Sequence, residues 1–321
     1  MKIDLPEVPA RWRVPAAFAA VYLIWGSTYL AIRFAVETMP PFLMAGTRFL
    51  IAGTILYTVM RRRGAPAPTH LHWRSALIVG ALMLLAGNGG VVWAEQEVPS
   101  SIASLMVATV PLWMVMLNWL RGDRIRPTAG VALGLAMGTA GIVLLVSTGQ
   151  GADGQPLHAA GLLVLTVGSL SWAIGSLYSR RAPLPGDALL GTAMEMLAGG
   201  ALLFLAGMAS GEAGQAAWQD VSRRSMLAFL YLIVLGSLVG FSAYIWLLRN
   251  STPAKVSTYA FVNPVVAVFL GWALGGEPLT ARTLLAAAII VGGVALITTY
   301  PPRALPVRSP DARLQAGEES S

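Results

Sequence analysis

Ten stretches of about twenty mostly apolar residues, separated by short polar connectors, fill almost the whole chain. That length is what a helix needs to cross the hydrocarbon core of a bilayer. In lipid every backbone N–H and C=O must be satisfied internally, so a chain of this pattern has helices as its solution. Punctuated at charges and at Pro/Gly clusters, the first half reads as Pro15–Val36, Pro41–Met60, Trp73–Ala94, Ser100–Leu120 and Pro127–Ser147. The second half reads as Leu157–Ser179, Ala188–Ala209, Ser225–Leu248, Pro253–Leu274 and Thr280–Thr299. The first stretch is longer than the apolar region of a secretory leader, about 7–15 residues, and is read as a span that stays in the protein.

Composition agrees. Charged residues make up 12% of the chain, about half the usual share of a soluble domain, so much of the surface must face lipid. The absence of cysteine excludes disulfides, thiolate metal sites and cysteine nucleophiles. The net charge of +7 could suggest nucleic acid, but its distribution argues otherwise. Most of the 22 Lys and Arg residues fall at one set of span ends, including Arg61, Arg62, Arg63, Arg74, Arg121, Arg124, Arg126, Arg180 and Arg181. The opposite loops hold Arg223, Arg224 and Arg282. Basic residues near span ends set orientation, so the chain is predicted N-in and C-in, with no nucleic-acid partner.

The halves resemble each other. Gly26-Ser27-Thr28-Tyr29 recurs as Gly175-Ser176-Leu177-Tyr178, and in one register Trp93 matches Trp246, Ser104 matches Ser257 and Pro111 matches Pro264. Five spans per half is an odd number, so the second copy must be inverted. Inverted repeats are a transporter device, in which one half rocks against the other around a midplane site. The predicted fold is therefore all-α integral membrane, with residues 1–148 and 149–300 as two inverted five-helix repeats. A disordered tail, 301–321, follows, by its polar composition.

The residues Trp25-Gly26-Ser27-Thr28-Tyr29, Arg48-Phe49, Ala94-Glu95, Val98-Pro99-Ser100, Val110-Pro111, Asn263-Pro264 and Gly276-Glu277 resemble the EamA family of the drug/metabolite transporter superfamily. The likeness runs from Tyr22 to Thr299 and is strongest to bacterial inner-membrane exporters. It implies a central cavity lined by spans 1, 3, 4, 6, 8 and 9, with spans 5 and 10 peripheral. It also implies export of small metabolites such as amino acids, or of drug-like amphipathic compounds.

Charges inside a bilayer are costly and usually functional. Arg48 is about seven residues into span 2, roughly 10 Å deep, placed for function or for snorkelling to the interface. Glu195 is its counterpart in span 7, as a proton-coupling carboxylate or a partner for a rim cation such as Arg181. Because the halves are inverted, these two sit at different heights. Glu95, with Glu97, Arg33 and Glu37, forms an outer gate or a solvated rim.

Gly87, Gly89 and Gly90 around Asn88 weaken span 3 locally and make Asn88 a cavity candidate, with close helix packing the alternative. Gly87, Gly89, Gly90, Pro111 and Pro264 are hinge candidates, the glycines because they loosen a helix and the prolines because a proline inside a helix frees a carbonyl and kinks it. Trp25, Tyr29, Trp172, Tyr178, Tyr244, Tyr259 and Asn263 lie on spans that the resemblance gives to the cavity, where aromatic walls with few polar tips suit small organic ligands. Gly130, Gly134 and Gly138 of span 5 mark packing within the first half or a dimer seam, so monomer and homodimer both stay open.

The three histidines lie in or beside loops, and no metalloprotease, nucleophile-elbow or phosphate-loop motif is present. The chain is thus read as no enzyme, without cofactor or metal. Its partners are membrane lipid, a small-molecule substrate and, as candidate coupling ion, the proton. A passive facilitator on the same scaffold is the alternative.

Overall fold

The computed structural model of the protein describes residues 10–120, 128–146, 158–215, 218–250 and 259–299. The described residues are helical, with no strand among them. We number the long helices α1 (10–36), α2 (Pro41–Arg62), α3 (70–94), α4 (100–120), α5 (Ala129–Val146), α6 (Ala159–Ser179), α7 (Ala188–Ala209), α8 (223–250), α9 (Tyr259–Gly275) and α10 (Ala281–Thr299). Seven helical stretches are long and apolar enough to cross a membrane, and three shorter apolar ones lie in α5, α9 and α10. Leu163, Leu205 and Phe269 are 64%, 63% and 58% exposed, as side chains turned to lipid would be. The predicted tail, 301–321, lies outside the described residues, as do 251–258 at the expected start of span 9.

Three helices are wound wide over part of their length. The π-helical turns are Val21–Trp25 in α1, Gly80–Asn88 in α3 and Leu232–Val239 in α8. Such turns re-aim the side chains that follow them and are frequent at functional sites. The α3 turn ends on Asn88, so the glycine-rich stretch read from sequence is a widened helix that carries on unbroken to Ala94.

The two proline hinge candidates differ. Span 4 is interrupted at Ala108–Thr109, just before Pro111, where the Thr109 hydroxyl donates to the Met106 carbonyl at 2.6 Å. Pro264 instead sits inside a continuous α9. The same residue therefore breaks one helix and is absorbed by the other.

Packing runs through small residues. α2 and α7 cross antiparallel, with Gly46 against Gly200 and Phe204, and Gly53 against Ala193 and Leu197. A Cβ on Gly46 would stand 3.0 Å from the Gly200 carbonyl, and one on Gly200 would stand 3.1 Å from the Gly46 carbonyl. α5 and α10 meet the same way: Gly141 faces Ala286 and Ile290, while Gly293 faces Gly134 and Gly138. The glycine face of span 5 is thus spent mainly on α10, in the other half of the chain, with Gly138 also against Leu112 of α4. Neither packing within the first half alone nor a dimer seam is needed to explain it.

Candidate functional site

α2, α3 and the end of α1 bring a charged group together at one end of the bundle. Arg48 is 4% exposed, projects from α2, and donates from Nη2 to Asn88 Oδ1 of α3 at 3.1 Å. Its guanidinium carbon lies 4.2 Å from the centre of the Phe49 ring, a cation–π contact. Its Nε has no hydrogen-bond partner. The buried Arg48 is held deep in the protein by Asn88, and so does not snorkel outward.

Glu95, one residue past the end of α3, is 2% exposed, and neither carboxylate oxygen has a hydrogen-bond partner. Arg33, Arg48 and Glu277 are all close enough for their charges to act on it. The solvated-rim alternative therefore fails for Glu95, because the turn at Glu95–Val98 folds its side chain inward. It holds for Glu97, which is exposed, and for Glu37, which is exposed and paired with Arg224 at 3.4 Å. Arg33 Nη1 lies 3.6 Å from Glu277 Oε1. The group thus contains two arginines and two glutamates, but Glu277 holds the hydrogen bonds and Glu95 holds none.

Tyr29, on α1 one turn before Arg33, lies in reach of the charge on Glu95. Below it the aromatic residues converge. The Trp25 ring centre is 5.0 Å from Tyr244, 5.4 Å from Tyr259 and 5.1 Å from Phe241, and Tyr244 and Tyr259 are 5.6 Å apart. Asn263, one turn after Tyr259 on α9, is buried with Oδ1 unpartnered. Trp25, Tyr29, Tyr244, Tyr259 and Asn263 thus form one wall continuing from the charged group. An apolar cleft of about 530 Å³ lies between α1, α8 and α9, lined by Leu23, Val265 and Phe269 on the outer face and by the Ser27–Tyr231 hydroxyl pair, 2.5 Å apart; none of the wall residues lines it.

The remaining candidates stand apart. Trp172 packs over Gly87, where a Cβ would lie 2.8 Å from its ring. Gly89 and Gly90 face Leu203 and Val164, so all three glycines of this stretch serve close packing. Tyr178 is partly buried near the far end of α6, with no ring contact among the described residues. Glu195 is partly buried on α7 and has no ion pair or hydrogen bond among the described residues. The partnership with Arg181 is not formed. His72 closes a capping box with Thr69 at the start of α3, a structural role.

Sequence reasoning gave no role to Glu277, Ser100 and Ser101. Glu277 Oε1 accepts from the backbone N–H and the hydroxyl of Ser100, each at 2.7 Å, and Oε2 from the N–H of Ser101 at 3.0 Å. A local signal was present: a helix starting after Pro99 carries no capping side chain of its own, so its free N–H groups need an acceptor from elsewhere.

An all-helical bundle with apolar outer faces and a buried, charged, aromatic-walled group defines the class as a multi-pass membrane protein with an internal polar site. The comparisons narrow it: the EamA-like transporter family model matches residues 14–147 and 159–299, and the chain belongs to that family. Over 283 residues it is 44% identical to the uncharacterized inner membrane transporter YedA of Escherichia coli K12, covering 88% of this chain and 89% of that protein. It is 25% identical over 288 residues to the uncharacterized transporter YvbV of Bacillus subtilis, covering 89% and 92%. A probable amino-acid metabolite efflux pump of Salmonella typhimurium is 23% identical over 290 residues, covering 85% and 91%. One solved crystal structure, 22% identical, superposes with a TM-score of 0.57 over 94% of this chain and all of that one, a likeness of fold.

Proposed function

We propose that the protein is a secondary exporter of small metabolites or amphipathic compounds in a bacterial inner membrane, working by alternating access around the Arg48–Asn88–Glu95 group. The single observation that carries this is Glu95, a buried carboxylate with both oxygens bare beside an arginine whose Nε is also bare. Burying a charge without partners costs several kcal/mol, so such a site calls for a proton or a ligand's cation on Glu95 and an acceptor on Arg48. The aromatic wall of Trp25, Tyr244 and Tyr259 supplies apolar contact for the rest of a small organic ligand.

Alternating access needs two related halves, and several observations support an inverted repeat of spans 1–5 and 6–10. The family model matches one stretch in each half. The seams are reciprocal: Gly141 lies on the Ala286 carbonyl and Gly293 on the Gly134 carbonyl. Gly87 takes the Trp172 ring and Gly240 takes the Trp25 ring. The wide turns of α3 and α8 fall in the third helix of each half. The positive-inside distribution supports N-in, C-in, which puts the Glu95–Glu277 end outside.

The test starts with a thermal-shift screen of detergent-purified protein against amino acids and lipophilic cations, followed by uptake of each hit into liposomes with and without a pH gradient. Gradient-driven flux that is lost in Glu95→Gln or Glu195→Gln supports a coupled transporter and identifies its carboxylate. Flux indifferent to the gradient and to both substitutions supports a passive facilitator instead.

A further inference from the structure

α2 and α4 both start directly after a proline, Pro40 and Pro99, and neither has a capping side chain at its own N-cap. Both are capped by carboxylates far along the chain. Glu212 accepts from the N–H groups of Phe42 at 3.2 Å and Leu43 at 2.9 Å. Glu277 seats on Ser100 and Ser101, as described above, and its side chain is 4% exposed. The capped helices belong to the first half of the chain and both carboxylates to the second. Thr38, Ser222 and Ser225 tie the same end together, through Thr38 Oγ1 to Ser225 Oγ at 2.8 Å and Ser225 Oγ to the Phe34 carbonyl at 2.7 Å. At the opposite end Thr69 with His72, Asp187 with Leu189 and Leu190, and Asn250 with Trp246 are local bonds among the described residues.

Glu277 has the strongest set of these ties and lies next to the unsatisfied Glu95. The turn that delivers it is built for the purpose. Gly276 has φ +66°, and the Glu277 N–H returns to the Gly271 carbonyl at 3.0 Å. Gly271 leaves room for the carboxylate, since a Cβ there would be 2.7 Å from Oε2. A carboxylate on a helix N-terminus is favoured by the helix dipole as well as by its hydrogen bonds.

We propose that Glu277 is the latch of this end of the protein, a positioning residue that must leave the α4 N-terminus before the Arg48–Glu95 group can open there. This rests on the alternating-access reading. Arg33 completes the latch by neutralising the carboxylate while it is seated.

The absence of cysteine makes the test direct. Ser104→Cys places a thiol one turn below Ser100 on α4, at a position with no exposure. Its rate of reaction with a membrane-impermeant maleimide is measured in intact cells, and Gln96→Cys, exposed at the same end, reports which side that end faces. If Gln96→Cys is unlabelled in cells, inverted vesicles are used for all variants. Glu277→Gln is expected to raise Ser104→Cys labelling about five-fold or more, and Ser100→Ala, which removes one bond, about two-fold. Asp187→Ala, which removes a cap inside the second half alone, is expected to lower the melting temperature without raising labelling. Unchanged labelling in Glu277→Gln, or an equal rise in Asp187→Ala, overturns the latch. Flux in liposomes separates the two ideas: a rise in labelling without transport of any screened solute removes the transport reading and leaves the latch. Transport with unchanged labelling does the reverse.

Discussion

The guanidinium of Arg48 reaches Asn88 Oδ1 at 3.1 Å and so joins the middle of α2 to the end of the wide turn in α3. This one bond holds a buried cation at the point where the two helices enclose the candidate site. Replacing Asn88 by Leu leaves the cation without its acceptor. Side-chain hydrogen bonds between membrane helices are worth about 0.6 kcal/mol on average and up to about 1.7, and the upper figure is expected here because the donor is charged. A double-mutant cycle with Arg48→Met, read by unfolding in detergent, should give a coupling of about 1.7 kcal/mol. Strict additivity would show the bond to be energetically idle.

The α2–α7 crossing should be intolerant of a single methyl group. A Cβ at Gly46 would meet the Phe204 backbone nitrogen at 2.6 Å, and a backbone atom cannot swing aside. Gly46→Ala is expected to cost about 1–3 kcal/mol, the usual range for overpacking. Gly186, which has open space around it, accepts the same change with little effect. Equal melting temperatures for the two variants would contradict the close crossing.

Gly276 should be needed for its backbone conformation, since nothing crowds it. At φ +66° an ordinary residue costs about 1–2 kcal/mol, and Asn tolerates the region better. Gly276→Ala should therefore destabilise more than Gly276→Asn. Gly271→Ala should act differently, by displacing the Glu277 carboxylate, and should raise the labelling of Ser104→Cys as well as lower the melting temperature.

Glu195 has no hydrogen bond or ion pair among the described residues, so Glu195→Gln is expected to leave thermal stability unchanged or raised. The variant is checked by its melting curve. A drop of several degrees would reveal a partner that matters to the fold.

Much of the helix layout was legible because lipid leaves one solution for a long apolar run. Ala188–Ala209 is the same in sequence and in structure, and Pro41–Met60 extends only to Arg62. The wide turns were not legible, since one extra residue per turn leaves an all-apolar stretch looking the same. Pro111 and Pro264 gave one signal and two outcomes, because whether a proline breaks a helix depends on what replaces the lost hydrogen bond. At the site, Arg48 and Asn88 were each singled out by being polar inside apolar spans, but their pairing was not. Glu277 escaped because its partners lie in another helix start, in the other half of the chain, and no periodicity links them. Glu95 was singled out but also allowed a place on the rim, since a charge at a span end reads as solvated until the turn after it is seen to fold inward.

The crossing of α2 on α7 has one further consequence. Among the described residues no side-chain hydrogen bond passes between these helices, and Gly46, Gly53 and Gly200 bring bare backbone to the contact. The contact runs along both helices, from Leu43 at Gly207 through Gly46 at Gly200 to Gly53 at Ala193 and Leu197. Turning one helix on the other would break no polar bond but would drive backbone into backbone over several turns. Any motion of the protein is therefore expected to carry α2 and α7 together, as one piece.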